Sequence, residues 1–190
     1  MPLLHLFISV IAGVDEVGRG CLAGPVCACA VIIRERIPFL QDSKKLSPKK
    51  RLELSRQILN SAWVGYGLVD AQTIDQINIH QASLLAMQRA IENLSVKPKE
   101  VLVDGKFGLS IAIPNKAIIG GDNLVDEISA ASIVAKVWRD SLMADMELQY
   151  PEYGFAKHKG YPTKLHKEAL RKHGPSPIHR TTFAGVLSEK

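Results

Sequence analysis

A chain of 190 residues with 46% hydrophobic composition can bury a core and is too apolar for disorder, so one ordinary domain over residues 1–190 is expected. Lys and Arg outnumber Asp and Glu by 24 to 19, and the pI is near 9.1, which permits a polyanionic partner without demanding one. Three cysteines, Cys21, Cys27 and Cys29, provide neither a disulfide framework nor a zinc motif; Cys27 and Cys29 share a strand face as small buried residues.

Met1–Ala12 lacks a basic leader region and an A-x-A-like cleavage site, and it runs directly into two acids. It reads as strand, with Leu6–Val14 the predicted extent, and no other apolar stretch reaches the roughly 18 residues of a membrane span. No membrane association and a cytoplasmic location are expected. The strand delivers Asp15 and Glu16 into the glycine-rich turn Gly18-Arg19-Gly20. Acids there suit a solvated turn, a cofactor loop or a hard-cation site. Gly18–Ala23 does match G-x-G-x-x-A, and Asp42 lies about 20 residues downstream, where a ribose contact belongs. A dinucleotide loop must open a helix, however, whereas Gly24-Pro25 and a second predicted strand, Val26–Ile33, follow; the two acids would also repel a pyrophosphate.

Ser47-Pro48 starts a predicted helix over Pro48–Ser61, beside five basic residues within eight positions, Lys44 to Arg51. Ala62–Val69 is predicted strand, Asp70–Gln76 a polar break, and Ile79–Asn93 a helix whose apolar spacing makes Met87 a core residue. Val101–Val103 then repeats the first pattern, an apolar strand ending in an acid and a glycine, Asp104-Gly105. Ala117–Ile119 leads through two glycines to Asp122. Parallel neighbours ending in carboxylates would place these acids together at one sheet edge. A long helix, Leu124–Gln149, carries Leu124, Ile128, Ala131, Ala135, Trp138, Leu142 and Met146 as an apolar stripe, with Asp126 and Glu127 as first-turn acids. Lys136 and Asp140 form an i,i+4 pair, and Asp140 is a candidate outer-shell acid for a metal. From Lys157 to Arg180 the chain is basic, with Tyr161 in its midst, and its histidines lack zinc-site spacing.

Acids without histidine or cysteine partners favour Mg²⁺ or Mn²⁺. Two such ions about 4 Å apart can clamp a phosphodiester, activating water on one side and stabilising the departing oxygen on the other. Basic surface and acidic centre together suggest a nuclease. AGVDEVGRG at Ala12–Gly20, DSKKLS at Asp42–Ser47, VDGK at Val103–Lys106, Gly121-Asp122, ISAASIVAKVWRD at Ile128–Asp140 and HKGYPT at His158–Thr163 resemble bacterial ribonuclease HII in order and spacing. The resemblance spans nearly the whole chain. It implies an α/β ribonuclease H-like fold, a five-stranded mixed sheet flanked by helices with a basic helical C-terminal segment over about residues 150–190. The implied activity is metal-dependent cleavage of RNA paired with or joined to DNA, with Asp15, Glu16, Asp104 and Asp122 as catalytic metal ligands.

The same resemblance implies that Gly18, Arg19 and Gly20 read the ribose 2′-hydroxyl, that Tyr161 contacts the sugar at the RNA–DNA junction, and that Lys44 touches phosphate. The partners it implies are RNA–DNA hybrid and ribonucleotide-containing duplex DNA, bound by a monomer. Gly120 departs from the family, which usually has lysine there, and no long clamp-recruiting tail is expected after Val186. By the alternation of strand side chains alone, Glu16 points away from Asp15 unless the glycine turn redirects it. Alternatives are another nuclease of this fold, such as a junction resolvase, or a hybrid-binding module that does not cut; negative charge facing phosphate argues against the latter.

Overall fold

The computed structural model describes residues 10–38, 40 and 46–187. Three strands, β1 (Ile11–Val17), β2 (Val26–Ile33) and β3 (Ala62–Val69), form an antiparallel meander. Two more, β4 (Glu100–Asp104) and β5 (Asn115–Ile118), add in parallel beyond β1, giving the order β3-β2-β1-β4-β5. The central strand β1 and its neighbour β4 therefore finish at the same sheet edge. Their last paired residues are Val14 and Val103, so the next step of the register sets Asp15 beside Asp104.

Helix α1 (Pro48–Ser61) and the long α3 (Asp126–Gln149) cover one face, while α2 (Ala71–Glu92) covers the other. Alternation assigns the side chains: Ala12, Val14, Ala28 and Ala30 meet Ala82, Ala86 and Ala90 of α2, whereas Cys29 and Val31 meet Ala130, Ile133 and Val134 of α3. Small residues let these layers approach closely. A Cβ on Gly13 would lie 2.2 Å from the Glu127 carbonyl carbon, so α3 rests directly on β1, and Gly65 and Gly67 admit α2 onto β3 in the same way. Short helices α4 (Phe155–His158) and α5 (Lys164–His173) close a third cluster around Tyr153, Phe155, Leu170 and Met143.

Several expectations shift. The first strand is Ile11–Val17, against the Leu6–Val14 read from sequence, so both acids end the strand instead of lying in the turn; residues 1–9 are outside the described set. Asp70 caps a helix: its carboxylate accepts the Thr73 amide at 2.7 Å, and α2 runs on to a kink at Asn78, whose φ is 67°. The long helix begins at Asp126, after a 3-10 turn Gly121–Asn123, leaving Leu124 exposed, and Trp138, Leu142 and Met146 of the predicted stripe are only half-buried. The basic C-terminal run divides in two. Lys157, Lys164, Lys167, Arg171 and Lys172 are exposed, but His158, His166, His179 and Arg180 are buried. Among the described residues no helix is long and apolar enough to cross a membrane.

Candidate active site

Asp15, Glu16 and Asp104 each place a carboxylate oxygen within 4.8 Å of the others at the end of β1 and β4. Glu16 joins the cluster despite its strand parity, because it is one residue from the end of β1 and its longer side chain can turn back around the edge. Its Oε1 also accepts from Arg19 Nη1 at 3.1 Å.

Burial, then repulsion from Glu16 and Asp104, pushes the Asp15 carboxyl well above the usual range; the Ser132 hydroxyl on α3 and the Glu16 amide, 2.7 Å from Oδ1, oppose that rise. Asp104 is pushed up by burial and by the charges of Asp122 and Glu16. The Gly121 and Asp122 amides lie near enough to favour its charge, yet among the described residues none donates to its buried Oδ1. A buried carboxylate oxygen without a donor, on a residue clustered with two further acids, fits a hard oxygen-seeking cation. The donor set, all oxygen and no sulfur or imidazole, excludes a structural zinc centre.

Asp122 stands outside this trio but against Asp104, buried in the 3-10 turn, where Asn123 Nδ2 donates to its Oδ1 at 2.9 Å and the Ser129 hydroxyl donates to its backbone carbonyl. Gly120 precedes it at φ 67°, a left-handed conformation glycine adopts without strain. Asp140 lies two turns beyond Ser132, with Oδ1 accepting from Lys136 Nζ at 2.7 Å; the α3 side chain that meets the acids is Ser132.

The turn after β1 is held from below. Gly18, at φ 95°, could carry no Cβ, which would fall 2.1 Å from Arg139 Nε. Arg19 and Gly20 are exposed. Tyr161 sits beside this turn, with Lys136 Nζ 5.5 Å and the Arg139 guanidinium 6.0 Å from its ring centre, and Leu22 N donates to Gly160 O at 2.8 Å. Lys44 and the start of its motif, Asp42–Lys45, lie outside the described residues.

The sequence profile of ribonuclease HII matches residues 12–186. This chain belongs to the ribonuclease HII family. Ribonuclease HII of Thermotoga maritima is 52% identical over 179 residues, which are 94% of this chain and 75% of that protein. Ribonuclease H2 of Pyrococcus horikoshii superposes with a TM-score of 0.79 at 27% identity, covering 93% of this chain and 94% of that one. The ribonuclease HII in a PCNA complex from Archaeoglobus fulgidus gives 0.78 at 23% identity, covering 95% and 97%. As a member of the ribonuclease HII family the protein is a hydrolase with ribonuclease H endonuclease activity.

Sequence reasoning misses Ser132, Arg139 and Arg180. A serine within an apolar helix stretch and an arginine beside Asp140 carry no periodic signal, and Arg180 reads as part of a surface patch from which it is wholly removed.

Proposed function

We propose that this ribonuclease HII is a divalent-metal-dependent endonuclease that cuts the RNA strand of RNA–DNA hybrids and incises 5′ to single ribonucleotides in duplex DNA, leaving 3′-hydroxyl and 5′-phosphate ends. Its role is removal of ribonucleotides from DNA, by a monomer in the cytoplasm working through one domain. The observation that carries the reading is the trio Asp15, Glu16 and Asp104, with Asp104 Oδ1 buried and lacking a donor among the described residues.

In this reading Asp15, Glu16, Asp104 and Asp122 hold Mn²⁺ or Mg²⁺, with two ions as the expected complement. Bound there, such ions supply activated water and Lewis-acid stabilisation of the departing 3′ oxygen. The rest falls to the chain. Ser132 orients Asp15, Arg19 steadies Glu16, and the exposed lysines and arginines grip phosphates away from the acids. Gly18 and Gly20 bring bare backbone to the ribose, Arg19 lies between them, and Tyr161 packs on the neighbouring sugar. Lys44 adds a phosphate contact, and Asp140 acts through Lys136, which lies over the Tyr161 ring.

Asp15→Asn, Asp104→Asn and Asp122→Asn should each lower turnover about 100-fold or more, because several kcal/mol of charge stabilisation is lost, while hybrid affinity stays within a few-fold. Near-parent turnover in any of the three would remove that residue from the metal set.

A further inference from the structure

Arg139 and Arg180 are both 0% exposed, and none of the ion pairs among the described residues includes either. Burying a guanidinium without a carboxylate is costly, so its partners must offer strong compensation. Among the described residues they make seven hydrogen bonds, every one of them to a backbone carbonyl. Arg180 donates to Gly18 O, Arg19 O and Gly24 O at 2.8 to 3.0 Å. Arg139 donates to Ala23 O at 3.2 Å and to Pro25 O and Lys159 O at 2.9 Å.

Two consequences follow from that pattern. The carbonyls of the Gly18–Pro25 loop are drawn inward, while the amides of Arg19 and Gly20 find no acceptor among the described residues and are left at the exposed surface. Outward amides backed by two buried cations form an anion- and hydroxyl-attracting concavity. Second, Arg139 ties the loop to Lys159, two residues before Tyr161, from the same helix whose Ser132 meets Asp15. One rigid element thus spaces the acids, the turn and the tyrosine. Lysine cannot replace this: its three donors radiate from one nitrogen and do not span three separated carbonyls.

We propose that Arg139 and Arg180 are positioning residues for ribose selection, holding the Gly18–Gly20 turn and Tyr161 as a single amide-outward reading surface over the junction sugar. This rests on the functional reading above.

The test uses Arg139→Lys and Arg180→Lys in the full chain, with kcat and KM measured on duplex DNA containing one ribonucleotide and on uniform RNA–DNA hybrid, and Mn²⁺ affinity by calorimetry. Misplacement of the reader by about 1 Å should lower kcat on the single-ribonucleotide duplex about 100-fold and on uniform hybrid about 10-fold, with Mn²⁺ affinity unchanged. Combining Arg139→Lys with Tyr161→Ala should cost little more than the worse single change, because both act on one surface. Equal losses on the two substrates with additive double-variant effects, parent-like cleavage by both lysine variants, or loss of folding and Mn²⁺ binding in both would assign the arginines to the scaffold and overturn the inference. A parent enzyme that leaves the single-ribonucleotide duplex intact would instead overturn the functional reading, and this inference with it.

Discussion

At the scale of single residues, the acidic cluster stores repulsion. Burial and its two acidic neighbours raise the Asp15 carboxyl, so its ionised form is less favourable in the folded, metal-free protein than in the unfolded chain. Asp15→Asn should therefore raise the Tm in EDTA by several degrees, equivalent to roughly 1–2 kcal/mol. In Mn²⁺ the order should reverse, because only the parent gains from binding; an unchanged or lower Tm in EDTA would count against repulsion in the cluster. The acids themselves are legible from sequence, since an apolar run leading into an acid beside glycine is conspicuous three times over, with the glycine after Asp15-Glu16 and Asp104 and before Asp122. Their partners are not. Nothing in the pattern distinguishes Ser132, which meets Asp15, from Ser129, which serves a backbone carbonyl.

At the scale of elements, Val26–Ile33, Pro48–Ser61 and Ala62–Val69 are legible with the bounds they adopt, because a continuous apolar run, a Ser-Pro helix start and a β-branched aromatic stretch each speak locally. Elements that begin or end in polar residues are not. Asp15 and Glu16 look like turn residues yet belong to β1, and Asp70 looks like a break yet caps α2. The histidines around α5 read in sequence as a basic surface, but burial and their hydrogen-bond partners keep His166 and His179 neutral. His166 Nδ1 faces the Tyr161 carbonyl at 2.9 Å and so carries a proton, leaving its Nε2 to accept from His179 Nε2 at 2.9 Å; His179 Nδ1 accepts the Ser176 amide.

Both rings are held down at about 4, chiefly by burial. Between pH 6.5 and pH 4 the unfolded chain therefore binds more protons than the folded one, so their stabilisation is complete above pH 6.5 and is lost as pH falls toward 4. Each ring should cost about 2 kcal/mol between pH 7 and pH 5. Urea unfolding of the parent and His179→Gln at the two pH values checks this: the parent should lose more stability than the variant, and parallel losses would show that His179 is not held neutral.

At the scale of the whole molecule, the excess of five positive charges is unevenly used. The exposed set Lys157, Lys164, Lys167, Arg171 and Lys172 lies in solvent where it can meet phosphate, with Lys164 also 3.9 Å from Glu168, whereas Arg139 and Arg180 are sealed beneath the turn. Replacing Lys164, Lys167 and Arg171 with glutamine should weaken hybrid binding and reduce the slope of log K against log salt by about one for each phosphate no longer neutralised. Lys44→Ala should act in the same direction; a slope that stays at the parent value in both would place the nucleic acid on another face. The most direct measurement for the account as a whole is the mapping of cleavage in duplex DNA containing one ribonucleotide, in Mg²⁺, Mn²⁺ and EDTA, with the parent and Asp122→Asn. A single cut 5′ to the ribonucleotide with 3′-hydroxyl and 5′-phosphate ends is expected, lost in EDTA and in the variant. Products ending in 2′,3′-cyclic phosphate, or cleavage that persists in EDTA, would contradict it.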